Sequence, residues 1–206
     1  DQPVLCGPDS NKPFGDRVRF VGDQVALVIA ETVEAAENAR DLIKVSYTEL
    51  PIVTSLSQAL ANDATLLHPD KGSNVIMHYQ VRKGDVEKAF KNADVVIEGE
   101  YRTPVQEHAF LQPESGTAFI DENDRITVIV GGQWTHEDQE QIAHALNLEP
   151  DMIRVIYPAI GGAFGGREDM SVQIILGLAV YKMKEKIIKI FIFEPLILCG
   201  SLFNVQ

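Results

Sequence analysis

The chain has 206 residues, 45% of them hydrophobic and 23% charged, the composition of a globular protein with a buried core. Its formal net charge of −12 argues against nucleic acid or an anionic membrane surface as a main partner, since both require a basic face. Cys6 and Cys199 stand at opposite ends of the chain, which fits no disulfide framework, zinc pattern or iron–sulfur centre and reads as two free thiols. Free thiols point to a reducing, cytoplasmic setting. Residues 1–8 are polar and broken by prolines, without the apolar core of a secretory leader. The apolar run 172–181 is too short to span a bilayer, and 187–202 is interrupted by Lys189, Glu194 and Pro195.

In chain order, 17–22 and 24–31 read as two strands around a Gly22-Asp23 turn, with Val25, Leu27 and Ile29 on one face. Thr32 is placed to cap a helix in which Val33, Ala36, Ala39 or Arg40, and Ile43 recur at helical spacing. Residues 45–49 read as a third strand, stopped by Pro51. Ser55-Leu56-Ser57-Gln58 is a capping-box pattern for a short helix through Ala61, and the polar stretch 62–73 is the best candidate linker. Gly84-Asp85 opens a helix over 86–91. Val95, Ile97, Gly99 and Tyr101 alternate with charged residues, as in a half-exposed strand. Residues 116–120 and 125–131 form a hairpin around Asp121-Glu122-Asn123-Asp124. Thr135-His136-Glu137-Asp138 is a second capping box, opening a helix to about Leu146 with Ile142, Ala145 and Leu146 inward. The β-branched run 153–156 is a strand and 168–184 the longest helix.

Between that run and the helix lies Gly161-Gly162-Ala163-Phe164-Gly165-Gly166-Arg167-Glu168. Strand, glycine loop and helix N-terminus in this order suit an anion or a ligand rich in oxygen acceptors: the glycines allow close backbone approach, and the first helical N–H groups point at it. A phosphate-binding Walker loop is excluded because Arg167-Glu168 replaces its lysine and hydroxyl. The dinucleotide fingerprint is excluded because Ala163 and Phe164 occupy glycine places. The plainer alternative is a tight connection with no ligand, for which four glycines are more than needed.

The loop resembles the Gly-Gly-Gly-Phe-Gly-Gly-Lys-Glu loop of the xanthine dehydrogenase and aldehyde oxidase family, the molybdenum hydroxylases, where it lies in the large molybdopterin-binding chain. Gly131-Gly132-Gln133-Trp134 resembles the family segment whose glutamine faces the metal. Gln106-Glu107-His108-Ala109-Phe110-Leu111-Gln112-Pro113-Glu114 resembles its His-Phe-Leu-Glu-Pro segment, and 15–26 its preceding small domain. The landmarks fall in family order from about Val4 to Lys184. The resemblance implies an α+β fold: the end portion of an α/β hammerhead domain over 1–61, then the first part of a molybdopterin-binding mixed α/β domain over 74–206.

It also implies roles. Gln133, Gly162, Phe164 and Gly165 would border the cofactor, with Phe164 either pinning the loop in the core or shaping the pocket. Glu168 would bind substrate, as the matching glutamate does in purine-oxidising members; as plain sequence it is a carboxylate favoured at a helix N-terminus. Arg167 stands in the family's lysine position, and an Arg–Glu neighbour pair is ordinarily a surface feature. Glu107 and Glu114 read as solvated carboxylates, His108 as structural and His136 as exposed, with no partner ligands at metal spacing.

Family members hydroxylate an sp² carbon of an aldehyde or N-heterocycle with oxygen from water, and pass electrons to iron–sulfur and flavin partners. Their general-base glutamate, an arginine near the metal and most pterin contacts fall beyond the stretch matched here, so the resemblance assigns no catalytic residue and no metal ligand within this chain. After Lys184 the family's Arg-Pro-Val and later Ser/Thr-Arg-Glu-Glu do not appear. The expectation is an N-terminal piece of a large chain, inactive and free of molybdenum and molybdopterin by itself, that needs the remainder of the large chain and associates with itself. The alternative is a non-catalytic remnant that self-associates or docks onto a partner. The 187–202 tail, apolar and β-prone, is expected to lie buried between copies.

Overall fold

The computed structural model describes residues 4–10, 12–20, 22–168, 170 and 172–184, together with the backbone of 188–191 and 203–205. Cys199 and residues 192–202 of the tail lie outside the described residues.

The N-terminal part is held by short local devices. β1 (Arg17–Val18) and β2 (Tyr47–Glu49) flank a third strand, Phe203–Val205, antiparallel to both. Between them α1 (Val33–Leu42) starts where Thr32 Oγ1 accepts the Ala35 N–H at 3.1 Å. No α1 residue is fully buried: of its predicted stripe Ala36 and Ala39 are half-buried, while Val33 and Ile43 are exposed. Cys6 and Val18 form a small core with Val25 and Val45. Burial first, and Asp23 second, push the Cys6 thiol up to about 11 despite nearby Arg19. α2 (Leu56–Ala59) is capped by Ser55 Oγ on the Gln58 N–H, and Gln58 Oε1 reaches back to the Thr54 N–H at 2.9 Å. α3 (Val86–Lys91) is capped by Asp85 on the Lys88 N–H at 3.0 Å.

Two expected strands do not form as ladders. Residues 24–31 form no ladder with a described strand; Leu27 packs on the main core. Residues 95–101 likewise form no ladder, with Ile97 at 89% and Tyr101 at 92% exposure. Alternation encodes a face, and a face becomes a strand only where a neighbour supplies hydrogen bonds; neither segment is paired in a described sheet.

The C-terminal part is built on one sheet. β3 (Ser115–Ile120) and β4 (Ile126–Val130) form the predicted hairpin, with Gly116 opposite Val130 and Ile120 opposite Ile126. Asp121 closes it: its carboxylate accepts from the N–H groups of Asn123 and Arg125, from Arg125 Nε and from Thr127 Oγ1, all at 2.9–3.1 Å. α4 (Thr135–Leu146) crosses over to β5 (Ile153–Ile156), parallel to β4, and α5 (Gln173–Met183) leads to β6 (Ile188–Phe191), antiparallel to β3. The phenylalanine-to-valine strand at 203–205 is then β7. The sheet order is β5-β4-β3-β6. Ala118, Val128, Val130 and Ile153 of the sheet are buried against Ile142 and Leu146 of α4 and Leu176, Ala179 and Val180 of α5. The helices cross closely because Gly177 has no side chain: a Cβ there would stand 2.9 Å from Ile142 Cγ2.

Both helices differ in detail from expectation. α4 takes Trp134 as its cap, without a side-chain capping bond, and turns Asp138 inward; Ala143 is buried while Ala145 is half-buried. α5 begins at Gln173 rather than beside the glycine loop, since the chain turns over 164–167 before the helix can start. α4, at 12 residues, therefore exceeds α5, at 11.

Candidate functional site

β4 and β5 are parallel, so their carboxyl ends open on one edge of the sheet; β3 is antiparallel and begins at that edge. Three segments meet there: 108–114 before β3, 131–134 after β4 and 157–168 after β5. Ligand crevices of open α/β sheets form at such carboxyl edges.

Gln133 joins two of them. Its Oε1 accepts the N–H of Gly165 at 2.9 Å and of Arg167 at 3.2 Å, and its Nε2 donates to Glu168 Oε1 at 3.4 Å. The loop is shaped by left-handed backbone at Gly162 (φ 105°), Phe164 (φ 55°) and Gly165 (φ 86°). Gln112 Oε1 accepts the Gly161 N–H at 2.8 Å, and a Cβ on Gly161 would stand 2.7 Å from Gln112 Cβ. Phe164 is 75% exposed, so it does not pin the loop in the core. Among the described residues the N–H groups of Gly162, Ala163 and Phe164 have no acceptor within the chain.

Arg167 corrects the surface reading. It is 2% exposed and lies at the centre of the site. Its Nε bonds Glu114 Oε1 at 2.8 Å, its Nη2 bonds Gln112 O at 2.7 Å, its Nη1 bonds Gln112 Oε1 at 2.9 Å, and its guanidinium lies 3.9 Å from the Phe110 ring centroid. The planar fork ties the loop to the 108–114 segment in a way a point charge does not match. Glu114 is accordingly an ion-pair partner rather than a solvated carboxylate. Glu107 is exposed, as is His108, whose ring lies where a Cβ on Gly166 would stand 2.7 Å away. Glu168 is half-buried beside Gln133 and precedes α5 by too much to serve its N-terminus. The helix N-terminus thus drops out of the expected anion cradle, leaving the loop's own N–H groups. His136 is exposed, and no group of three or more His, Cys, Asp or Glu among the described residues could hold a metal ion.

A second group escaped the sequence reading. Tyr157, just after β5, donates its hydroxyl to Asp138 Oδ2 at 2.6 Å, and Asp138 is fully buried. Burial raises the Asp138 carboxyl against the hydrogen bond from Tyr157, and raises the Tyr157 phenol together with Asp138. The available signal was a tyrosine ending a β-branched run opposite a Gly-Gly turn.

The likeness to known proteins follows this layout. Residues 67–192 match the molybdopterin cofactor-binding domain, and residues 7–51 match the aldehyde oxidase and xanthine dehydrogenase α/β hammerhead domain. The chain belongs to the xanthine dehydrogenase and aldehyde oxidase family. It is 38% identical over 84% of its length to a probable xanthine dehydrogenase subunit of Bacillus subtilis, and 35% identical over 84% to the nicotinate dehydrogenase large molybdopterin subunit of Eubacterium barkeri. It spans 22% of the first relative and 40% of the second. The aldehyde oxidoreductase of Desulfovibrio desulfuricans superposes with a TM-score of 0.74 at 28% identity, over 83% of this chain and 19% of that one. The fold is therefore the expected hammerhead followed by a molybdopterin-binding mixed α/β domain, within the molybdenum-binding subunits of the family. Among the described residues no helix is long and apolar enough to cross a membrane.

Proposed function

We propose that this chain supplies one wall of the molybdopterin site of a molybdenum hydroxylase large subunit, with Gln133, Gly162, Phe164 and Gly165 bordering the cofactor and Glu168 facing substrate. The observation that carries this reading is the Gln133 amide, which bridges the β4–α4 turn and the glycine loop at the carboxyl edge of the sheet. The residues present fit such a group: the N–H groups of Gly162, Ala163 and Phe164 are free of internal acceptors among the described residues, and left-handed backbone at Gly162 and Gly165 keeps that surface open. When bound, the cofactor supplies the oxygen-transfer and redox chemistry of the family. This chain's residues orient it and its substrate. Glu168, half-buried and acidic, suits the ring N–H groups of an N-heterocycle better than an aldehyde.

One loop and one amide are too few contacts to offset the ordering cost of binding, so the chain alone holds neither molybdenum nor pterin. The remainder of a large chain completes the site, and iron–sulfur and flavin subunits take the electrons. The exposed apolar residues between α2 and β3, Ile76, Val81, Val95, Ile97, Tyr101 and Val105, support a covering partner. They also favour a second reading, a non-catalytic domain that self-associates.

Co-expression with the remaining part of a large chain from a family relative, followed by mass spectrometry for molybdenum, tests the first reading. The complex is expected to carry about one molybdenum, and Gly162→Val with Gln133→Ala to lower this by about tenfold or more, the equivalent of one lost charge-assisted contact. A molybdenum-free complex, or loading untouched by the double substitution, overturns it.

A further inference from the structure

We propose that Tyr157 is the positioning residue of Gln133, setting the turn that carries it from both sides through a single hydroxyl. The inference rests on the reading of Gln133 as a residue of the cofactor site and adds the group that orients it. Gly132, immediately before Gln133, packs on Tyr157 so closely that a Cβ would meet the hydroxyl oxygen. Trp134, immediately after, accepts the Asp138 N–H on its carbonyl oxygen at 2.9 Å. The hydroxyl hydrogen goes to Asp138 Oδ2 at 2.6 Å, one turn into α4. The Gln173 side chain lies against Asp138, while its Oε1 accepts the Val172 N–H at 3.0 Å at the start of α5. The hydroxyl thus meets the residue before Gln133 directly and reaches the residue after it, and α4, through Asp138.

A buried carboxyl in this core is costly: Asp138 is fully buried in the same helix as Ile142 and Leu146, where an apolar residue would pack without desolvating a polar group. What the polar pair adds is direction. Gln133 is flanked on one side by the direct Gly132–Tyr157 contact and on the other by the link through Asp138 to Trp134, and its side chain meets the N–H groups of Gly165 and Arg167 from that turn. Tyr157 touches neither loop N–H, so it acts through Gln133.

The test is amide hydrogen exchange by NMR on the cofactor-free chain, comparing the wild type with Tyr157→Phe and Asp138→Asn. In Tyr157→Phe, exchange of the Gly165 and Arg167 amides is expected to rise about tenfold, the size of one lost hydrogen bond, while Val128 in β4 stays within about twofold. Asp138→Asn keeps a carbonyl acceptor for the hydroxyl and is expected to keep wild-type rates at both amides. Unchanged Gly165 and Arg167 exchange in Tyr157→Phe overturns the proposal, as does an equal rise at Val128, which marks a merely structural role. Should Tyr157→Phe not fold, the wild-type chain still decides: a slowly exchanging Tyr157 hydroxyl proton close to the Gly132 α-protons is expected, and its absence overturns the assignment. No cofactor enters these measurements, so a failure here leaves the molybdopterin reading standing, and a failure to load molybdenum leaves this one standing.

Discussion

Arg167 and Glu114 form an ion pair with Nε and Oε1 2.8 Å apart, joining the glycine loop to the strand-leading segment before β3. The guanidinium is buried while the carboxylate keeps about a quarter of its surface, 24%. Such a pair acts less as a source of net stability than as a geometric constraint, because the remaining guanidinium hydrogens must also find partners. They do, on Gln112 and Gly162.

Removing the arginine leaves those acceptors without their donor. Arg167→Ala is expected to lower unfolding stability by about 3–5 kcal/mol, and Arg167→Lys by at least about 1 kcal/mol, because an ammonium cannot reproduce the planar fork. Urea titration measures both. Arg167→Lys with wild-type stability would show that the fork does not hold the loop.

Gly165 isolates backbone strain from crowding. Its φ is 86°, yet a Cβ there would meet nothing nearer than His108 Nε2 at 3.8 Å. Gly165→Ala is therefore expected to cost about 1–2 kcal/mol from conformation alone. Gly7, with no positive φ and nothing within 4 Å of a built Cβ, is the control, and Gly7→Ala is expected to leave the urea midpoint unchanged. Equal midpoints for the two variants would contradict the left-handed loop.

Asp121 gives the hairpin a pH signature. Burial pushes its carboxyl up, but the hydrogen bonds from Arg125, Asn123 and Thr127 outweigh this and hold it down at about 2, against a usual 3.8. A depressed carboxyl stabilises the fold in full above its unfolded value and loses that contribution as pH falls through the folded one. Asp121→Asn should therefore be less stable than the wild type at neutral pH, with the deficit closing as pH falls from about 3.8 towards about 2. A deficit independent of pH, read by thermal unfolding across that range, would contradict the assignment.

The sequence was most legible where structure is local. Asp85 caps α3 over the expected residues, and the Asp121 turn sets the hairpin register, because both depend on neighbours within a few positions. Gln133 reached the glycine loop because two motifs at the ends of parallel strands must share an edge. Arg167 and Asp138 were not legible: both look like surface charges, and their burial depends on Glu114 and Tyr157, distant in sequence. The alternation at 95–101 read as a half-exposed strand, but every residue from 95 to 101 is exposed and no described strand pairs with them.

That exposed face bears on association. With Val95, Ile97, Tyr101 and Val105 all uncovered, the purified chain is expected to form a dimer or larger assembly in light scattering at micromolar concentration. Ile97→Lys with Tyr101→Lys should return it to a monomer. A wild-type monomer would sink the self-association reading.

Nuclear Overhauser contacts in the cofactor-free chain test most directly whether the β4–α4 turn and the glycine loop form one preformed site. Contacts are expected from the Gln133 side-chain amide to the side chain of Glu168 and to the Gly165 amide, together with positive φ couplings at Gly162 and Gly165. A glycine loop broadened by exchange, with no contact between it and Gln133, would contradict a preformed site.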